Sequence, residues 1–240
     1  MADRPKSRVG RVYRTAQHSL GYVRALLKGN RVRGDVSWVR EGARPIVLVH
    51  GFLGTRGTME PLAQRLRADG RAVFTYHHGT FQLDSLRRTA EALQARIQSI
   101  VEELDVDSVD LIGFSMGGLV SLYMLKFLGG ERWVRRLVML GAPVRGTWLA
   151  LAGVAAVGLI SPSIWQIIPH SRFLNQLLAA PVPSDVPIRQ IHADEDAFCP
   201  NPGPINGIEP NNFIVLPGGH SSLVVAQPFY ARIREFLIEA

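Results

Sequence analysis

VDLIGFSMGGLVSLYML, residues 109–125, changes character at one serine. Val109–Phe114 is an apolar run of strand length, and Met116–Leu128 has the composition of a helix. Ser115 lies at the change, with Gly113 two residues before it and Gly117 two after. A strand that turns at once into a helix strains the apex residue, so its neighbours at those two positions must be small. The apex side chain then stands free above the C-terminal edge of the sheet. The next amide, of Met116, opens a helix and can donate to a developing oxyanion. The plainer alternative is a helix start with Ser115 as its N-cap.

Outward from this turn, strand-like and helix-like segments alternate. Pro45–Gly51, Ala72–Tyr76, Arg136–Pro143, Ile188–Ala193 and Asn212–Gly218 are apolar runs of strand length, several ending in glycine. Between them, Leu62 and Leu66 mark a helix with Pro61 in its first turn. Leu86, Ala90, Leu93, Ile97 and Val101 mark a longer one, and Val225–Ile238 closes as a helix. Short connections in this order predict the α/β class: a mostly parallel sheet with helices on both faces.

Net charge is +7, unevenly placed. Residues 1–44 hold eleven Lys/Arg against three Asp/Glu, leaving 16 basic against 17 acidic over the remaining 196 residues. A nucleic-acid binder with a basic body would not have this distribution. In the basic segment, Val9, Val12, Tyr13, Ala16, Leu20, Val23 and Leu27 fall on one helical stripe, with Arg8, Arg11, Arg14, Arg24 and Lys28 outside it. Residues 8–28 are therefore expected to form a basic amphipathic helix. It either rests on an anionic membrane or packs on its own domain. The N-terminal segment lacks the apolar core and cleavage site of a secretory signal, and Cys199 is the single cysteine. The expected location is cytoplasmic, with peripheral contact to the inner face of the membrane.

One interval breaks the alternation. Trp148–Ile168 contains no charge over 21 residues. Ser161-Pro162-Ser163 interrupts it, and strands of one sheet must be joined across it, which argues against a membrane span. A pair of apolar helices over the sheet's C-terminal edge is expected, with Pro169–Leu178 as the second.

A serine nucleophile needs a base. His220, in LPGGHSSL, follows the last strand and precedes the last helix, so it too lies at the C-terminal edge. The other histidines fit less well: His50 ends a strand and suits a loop brace. The base needs a carboxylate to fix its tautomer. Asp194, Glu195 and Asp196 follow the penultimate strand, and placement favours Asp196 over Asp194. The order serine, aspartate, histidine is the one this architecture uses. A second oxyanion donor is expected from the loop after VLVHG, where the amide of Phe52 is the candidate.

At these residues the sequence resembles the α/β-hydrolase superfamily, and within it bacterial lipases and esterases. HGFLG (50–54) is similar to the family's oxyanion loop, GFSMGG (113–118) to its nucleophile elbow, and GAPVRGT (141–147) to a lipase motif. Asp196 matches a G-x-x-D-x-x-x-P pattern with Ala193 in place of the glycine, and GHSSLV (219–224) resembles the histidine loop. The resemblance covers residues 44–240, so residues 1–43 are expected to be an extension. It implies an α/β-hydrolase fold with a lid insertion at about 147–182. It also implies acyl transfer through Ser115, His220 and Asp196, with oxyanion donors at Phe52 and Met116 and no metal or organic cofactor. A lid lined by Trp148, Leu151, Leu159 and Trp165 would bury a long acyl chain. At about 0.8 kcal/mol per methylene, eight more carbons offer about 6 kcal/mol of binding. The expected reaction is thus hydrolysis of lipid esters. The alternatives on the same residues are a short-chain carboxylesterase or thioesterase and an acyltransferase.

Overall fold

The computed structural model describes residues 8–30, 44–77, 84–150 and 161–238. Six strands form one open sheet: β1 (Ile46–Val49), β2 (Val73–Tyr76), β3 (Val109–Phe114), β4 (Val134–Leu140), β5 (Ile188–Ala193) and β6 (Phe213–Leu216). Their order is β2-β1-β3-β4-β5-β6, and every neighbouring pair is parallel. All six expected strands are present.

Side-chain alternation sorts the sheet's residues into two cores. Val47, Leu111, Leu137 and Met139 face one way and meet α3 (Leu86–Leu104), α4 (Met116–Phe127) and α6 (Arg172–Ala179). Ile46, Leu48, Ile112, Phe114, Val138 and Leu140 face the other. They meet α2 (Arg56–Ala68), α7 (Ser222–Val225) and α8 (Gln227–Ile238). Strands covered on both faces must be apolar throughout, which is why these segments read as unbroken runs. Each fully buried Leu or Ile contributes roughly 1.5–3 kcal/mol by its removal from water.

At the sheet's N-terminal end, Asp110 is buried beside the guanidinium groups of Arg44 at 3.5 Å and Arg71 at 3.1 Å. Burial raises its pKa, and Arg44, Arg136 and Arg71 oppose that rise.

Helix α1 (Arg8–Leu27) is present, and over its described side chains it presents an unexpected face. Leu20, Val23 and Leu27, from the predicted apolar stripe, are exposed, whereas Ala25 is buried and Tyr22 packs on the second core. Gly21, Ala25 and Gly29 recur every four residues along the docked side. Gly21 faces Val225, and a Cβ on Gly57 would overlap the Ala25 carbonyl oxygen. Small residues let the α1 and α2 backbones approach closely, so the helix docks by its smooth side.

Three other boundaries differ from expectation. α2 begins at Arg56, so Pro61 is inside it rather than in its first turn. The amide of Gly57 donates to Gly29 O of the docked chain at 3.0 Å, extending the helix toward α1. The closing helix is two helices: Ala226 is extended, and Pro228 lies in the first turn of α8. In the uncharged interval, Ser161-Pro162-Ser163 starts a short helix, α5 (Pro162–Gln166), with Pro162 at its first position. α6 starts at Arg172, where the Ser171 hydroxyl accepts from the amide of Leu174. Leu151 and Leu159 lie outside the described residues. Among those described, no helix is long and apolar enough to cross a membrane.

Candidate active site

Ser115 sits at the tip of β3 with φ 55° and ψ −123°, in a region that non-glycine residues rarely enter. Such a conformation costs about 1–3 kcal/mol and persists only where its surroundings fix it. Here its amide donates to Leu140 O at 2.7 Å, and its carbonyl accepts from Gly118 N at 3.0 Å. A Cβ on Gly113 would come within 2.6 Å of Gly117 O, and one on Gly117 would overlap the Val49 carbonyl oxygen. The two glycines are therefore required by backbone contact. Ser115 lies at the N-cap position of α4, yet its side chain makes no capping bond.

The loop after β1 comes down beside this serine. A Cβ on Gly51 would stand 3.3 Å from Ser115 Oγ. Phe52 follows it, partly buried against the first core, and Leu53 has φ 53°. His50 is fully buried and donates from Nδ1 to Gly51 O at 2.9 Å, and Gly54 N closes the turn on the same carbonyl at 3.0 Å. Burial lowers the His50 pKa to about 4, so the ring is a neutral brace.

His220 and Asp196 come from the loops after β6 and β5. Their Nδ1 and Oδ2 atoms are 2.6 Å apart, and the Asp196 side chain is wholly buried. The other Asp196 oxygen accepts from Phe198 N at 2.8 Å and Cys199 N at 3.0 Å. Asp194 turns away: its Oδ1 accepts from Gly218 N at 2.9 Å, which shapes the loop carrying His220. Of the two candidate carboxylates, the structure brings Asp196 to the histidine.

Three contributors to this arrangement escaped the sequence reading. Phe114 and Phe198 flank the imidazole, with ring centroids 4.7 and 4.9 Å away. Gly141, at φ +56°, lies under the pair: a Cβ there would stand 3.1 Å from Asp196 Oδ2 and 3.3 Å from His220 Nδ1. GAPVRGT carried that signal, since its first glycine ends β4 beside the site. Third, α1 touches the histidine loop: His18 Nδ1 is 2.9 Å from Ser222 Oγ, and Ser19 Oγ is 3.3 Å from Ser221 Oγ.

Among the described residues beside the pair, Cys199 and His192 are not rival groups. Burial pushes the Cys199 thiol up to about 12 and the His192 ring down to about 4. Trp148 and Trp165 are about half exposed; Trp165 borders a surface cleft with Arg87, Ser171 and Gln176. Chemically, the arrangement supplies a hydroxyl on a strained turn, an imidazole with its tautomer fixed by a buried carboxylate, and two backbone amides at loop and helix starts.

The model of the family described as "Domain of unknown function (DUF7379)" matches residues 21–156. The sn-1-specific diacylglycerol lipase ABHD11 of Xenopus laevis is 34% identical over 98 residues, 39% of this chain and 30% of that protein. Its Xenopus tropicalis counterpart is 35% identical over 82 residues. The chain thus matches less than a third of the length of these curated relatives. Among solved structures, the mature form of Bacillus licheniformis lipase BlEst2 aligns with a TM-score of 0.64 at 16% identity, covering 86% of this chain and 94% of that one. Aspergillus fumigatus lipase B gives a TM-score of 0.64 at 16% identity over 83% of this chain and 54% of its own. The fold is that of the α/β hydrolases.

Proposed function

Since the chain belongs to the family described as a domain of unknown function (DUF7379), we propose from its site that it hydrolyses carboxylic esters with Ser115 as nucleophile. The observation that carries this is the 2.6 Å contact of His220 Nδ1 with a buried Asp196, on the same sheet edge as a serine held at positive φ. Ser115 Oγ attacks the ester carbonyl carbon while His220 Nε2 takes its proton. The carbonyl oxygen becomes an oxyanion held by the amides of Phe52 and Met116. The tetrahedral adduct collapses, the ester C–O bond breaks, and His220 returns the proton to the departing alcohol. Water, deprotonated by His220, then attacks the acyl-enzyme and releases the acid. Asp196 keeps the imidazole in the Nδ1–H tautomer and stabilises it when charged.

The substrate class proposed is a lipid ester of medium or long acyl chain. Leu53, Trp148 and Phe198 are exposed on loops that leave the C-terminal ends of β1, β4 and β5, and Leu149 is exposed next to Trp148. An apolar rim of this kind favours an acyl chain over water. Turnover of p-nitrophenyl esters from C2 to C16, with Ser115→Ala as the blank, tests both statements. A rise toward long chains that the blank abolishes is the expected result. A maximum at C2–C4 supports the short-chain esterase alternative, and added alcohol that diverts the acyl group from water supports acyl transfer.

The outer face of α1 supports contact with an anionic membrane, at its cytoplasmic side. Leu20, Val23 and Leu27 are exposed along one stripe, and Arg24 and Lys28 are exposed beside it. Sedimentation with phosphatidylglycerol vesicles should exceed that with phosphatidylcholine vesicles, and Arg24→Glu with Lys28→Glu should abolish the difference. Equal sedimentation with both vesicles would refute the contact.

A further inference from the structure

The inner face of α1 reaches both loops of the site. Near residue 18 it meets the histidine loop: His18 Nδ1 lies 2.9 Å from Ser222 Oγ. Ser222 is fully buried, and its Oγ accepts from Gly219 N at 3.2 Å, the amide just before His220. Its hydroxyl proton is available to His18 Nδ1. One hydroxyl therefore ties the helix to the turn that carries the base. Tyr22, one turn on, lies edge-on to Phe114 with centroids 6.1 Å apart, and Phe114 is the ring that flanks His220.

Near residues 26–30 the same helix and its following turn meet the segment after Phe52. Thr55 Oγ1 donates to Leu26 O at 3.4 Å, Gly57 N donates to Gly29 O at 3.0 Å, and Arg56 N donates to Asn30 Oδ1 at 3.1 Å. The nine helical steps from His18 to Leu27 span about 14 Å at 1.5 Å per residue. That run bridges the base loop and the loop of the second oxyanion donor.

We infer that α1 is a positioning strut of the active site, and that His18, acting through Ser222, is a positioning residue for the base His220. The inference rests on the serine-hydrolase reading but concerns a different part of the chain. Without the His18 acceptor, Ser222 can turn away from Gly219, and the His220 turn loses one of its fixed points. His18 is tied to the His220 turn through Ser222, so the loss is expected in the chemical step.

The test is His18→Ala in the full chain, with His18→Asn as the conservative variant, since the Asn carboxamide oxygen falls near the position of Nδ1. With p-nitrophenyl butyrate, His18→Ala should lower kcat about tenfold with KM within twofold, and His18→Asn should restore most of kcat. The His220 ring signal in ¹⁵N-histidine NMR, which needs no turnover, should shift in His18→Ala and return in His18→Asn. Unchanged kcat and an unchanged His220 signal in His18→Ala would overturn the inference. So would a loss that His18→Asn does not relieve and that follows the melting temperature alone. If the wild-type chain turns over no ester, the hydrolase reading fails by itself, and the NMR comparison still decides the role of His18.

Discussion

Asp196 and His220 meet through one carboxylate oxygen, and the second oxygen is held by two backbone amides. The carboxylate thus has a single orientation, and the imidazole inherits it. Asp196→Asn keeps the shape but offers the histidine the wrong partner. It should lower kcat by about 10⁴-fold, as expected when the base adopts the wrong tautomer. Asp194→Asn should stay within about tenfold of wild type, since its carboxylate contacts Gly218 N instead. Steady-state kinetics of the two variants on one soluble ester separates them.

Gly117 packs against Val49 and His50, where a methyl group would overlap backbone that cannot move. Gly117→Ala should therefore unfold the elbow or cost several kcal/mol in urea denaturation. Gly70 makes an instructive contrast. It has φ +78° with open space around it, so Gly70→Ala should cost only about 1–2 kcal/mol and leave activity intact.

His50 and His192 are both fully buried and neutral, with pKa values lowered by burial from 6.5 to about 4. Unfolded, each binds a proton near 6.5. As pH falls below that value the unfolded state takes up more protons than the native state, so stability drops through the window from 6.5 to 4. At pH 5.5 each ring should cost about 1.4 kcal/mol. Urea midpoints at pH 7.5, 6.5 and 5.5 measure the slope, and His192→Asn should reduce it by about half.

Asp110 is a buried carboxylate at the opposite end of β3 from Ser115. Asp110→Asn leaves Arg44 and Arg71 without their counter-charge. Both are about a quarter to a third exposed, so water screens part of the loss. A destabilisation of about 2 kcal/mol with unchanged kcat on a soluble ester is expected, and a fall in kcat would show that the two ends of β3 are coupled.

The sheet was legible because parallel strands buried on both faces must be apolar along their whole length. The glycine-flanked Ser115 and the loop positions of Asp196 and His220 were legible because topology sends every strand end to one edge. α1 was misjudged in part. Periodicity finds a stripe but not its partner, and the docked side is marked by Gly21, Ala25 and Gly29, which add little to an apolar pattern. Gly141 was marked only through the GAPVRGT motif, and Phe198 gave no signal, because its contact with His220 depends on strands far apart in sequence. The break at Ala226 had a local signal in Pro228, which suits the first turn of a helix and cannot continue a preceding one.

His18 and Ser222 are 204 residues apart along the chain. A ribosome adds about 5–20 residues per second, so α1 emerges roughly 10–40 seconds before the loop it braces. α2 is made early in that interval and covers the side of α1 that carries Ala25 and Gly29, so the helix is docked before the histidine loop arrives. The contact between His18 and Ser222 therefore forms only after β6 has been made.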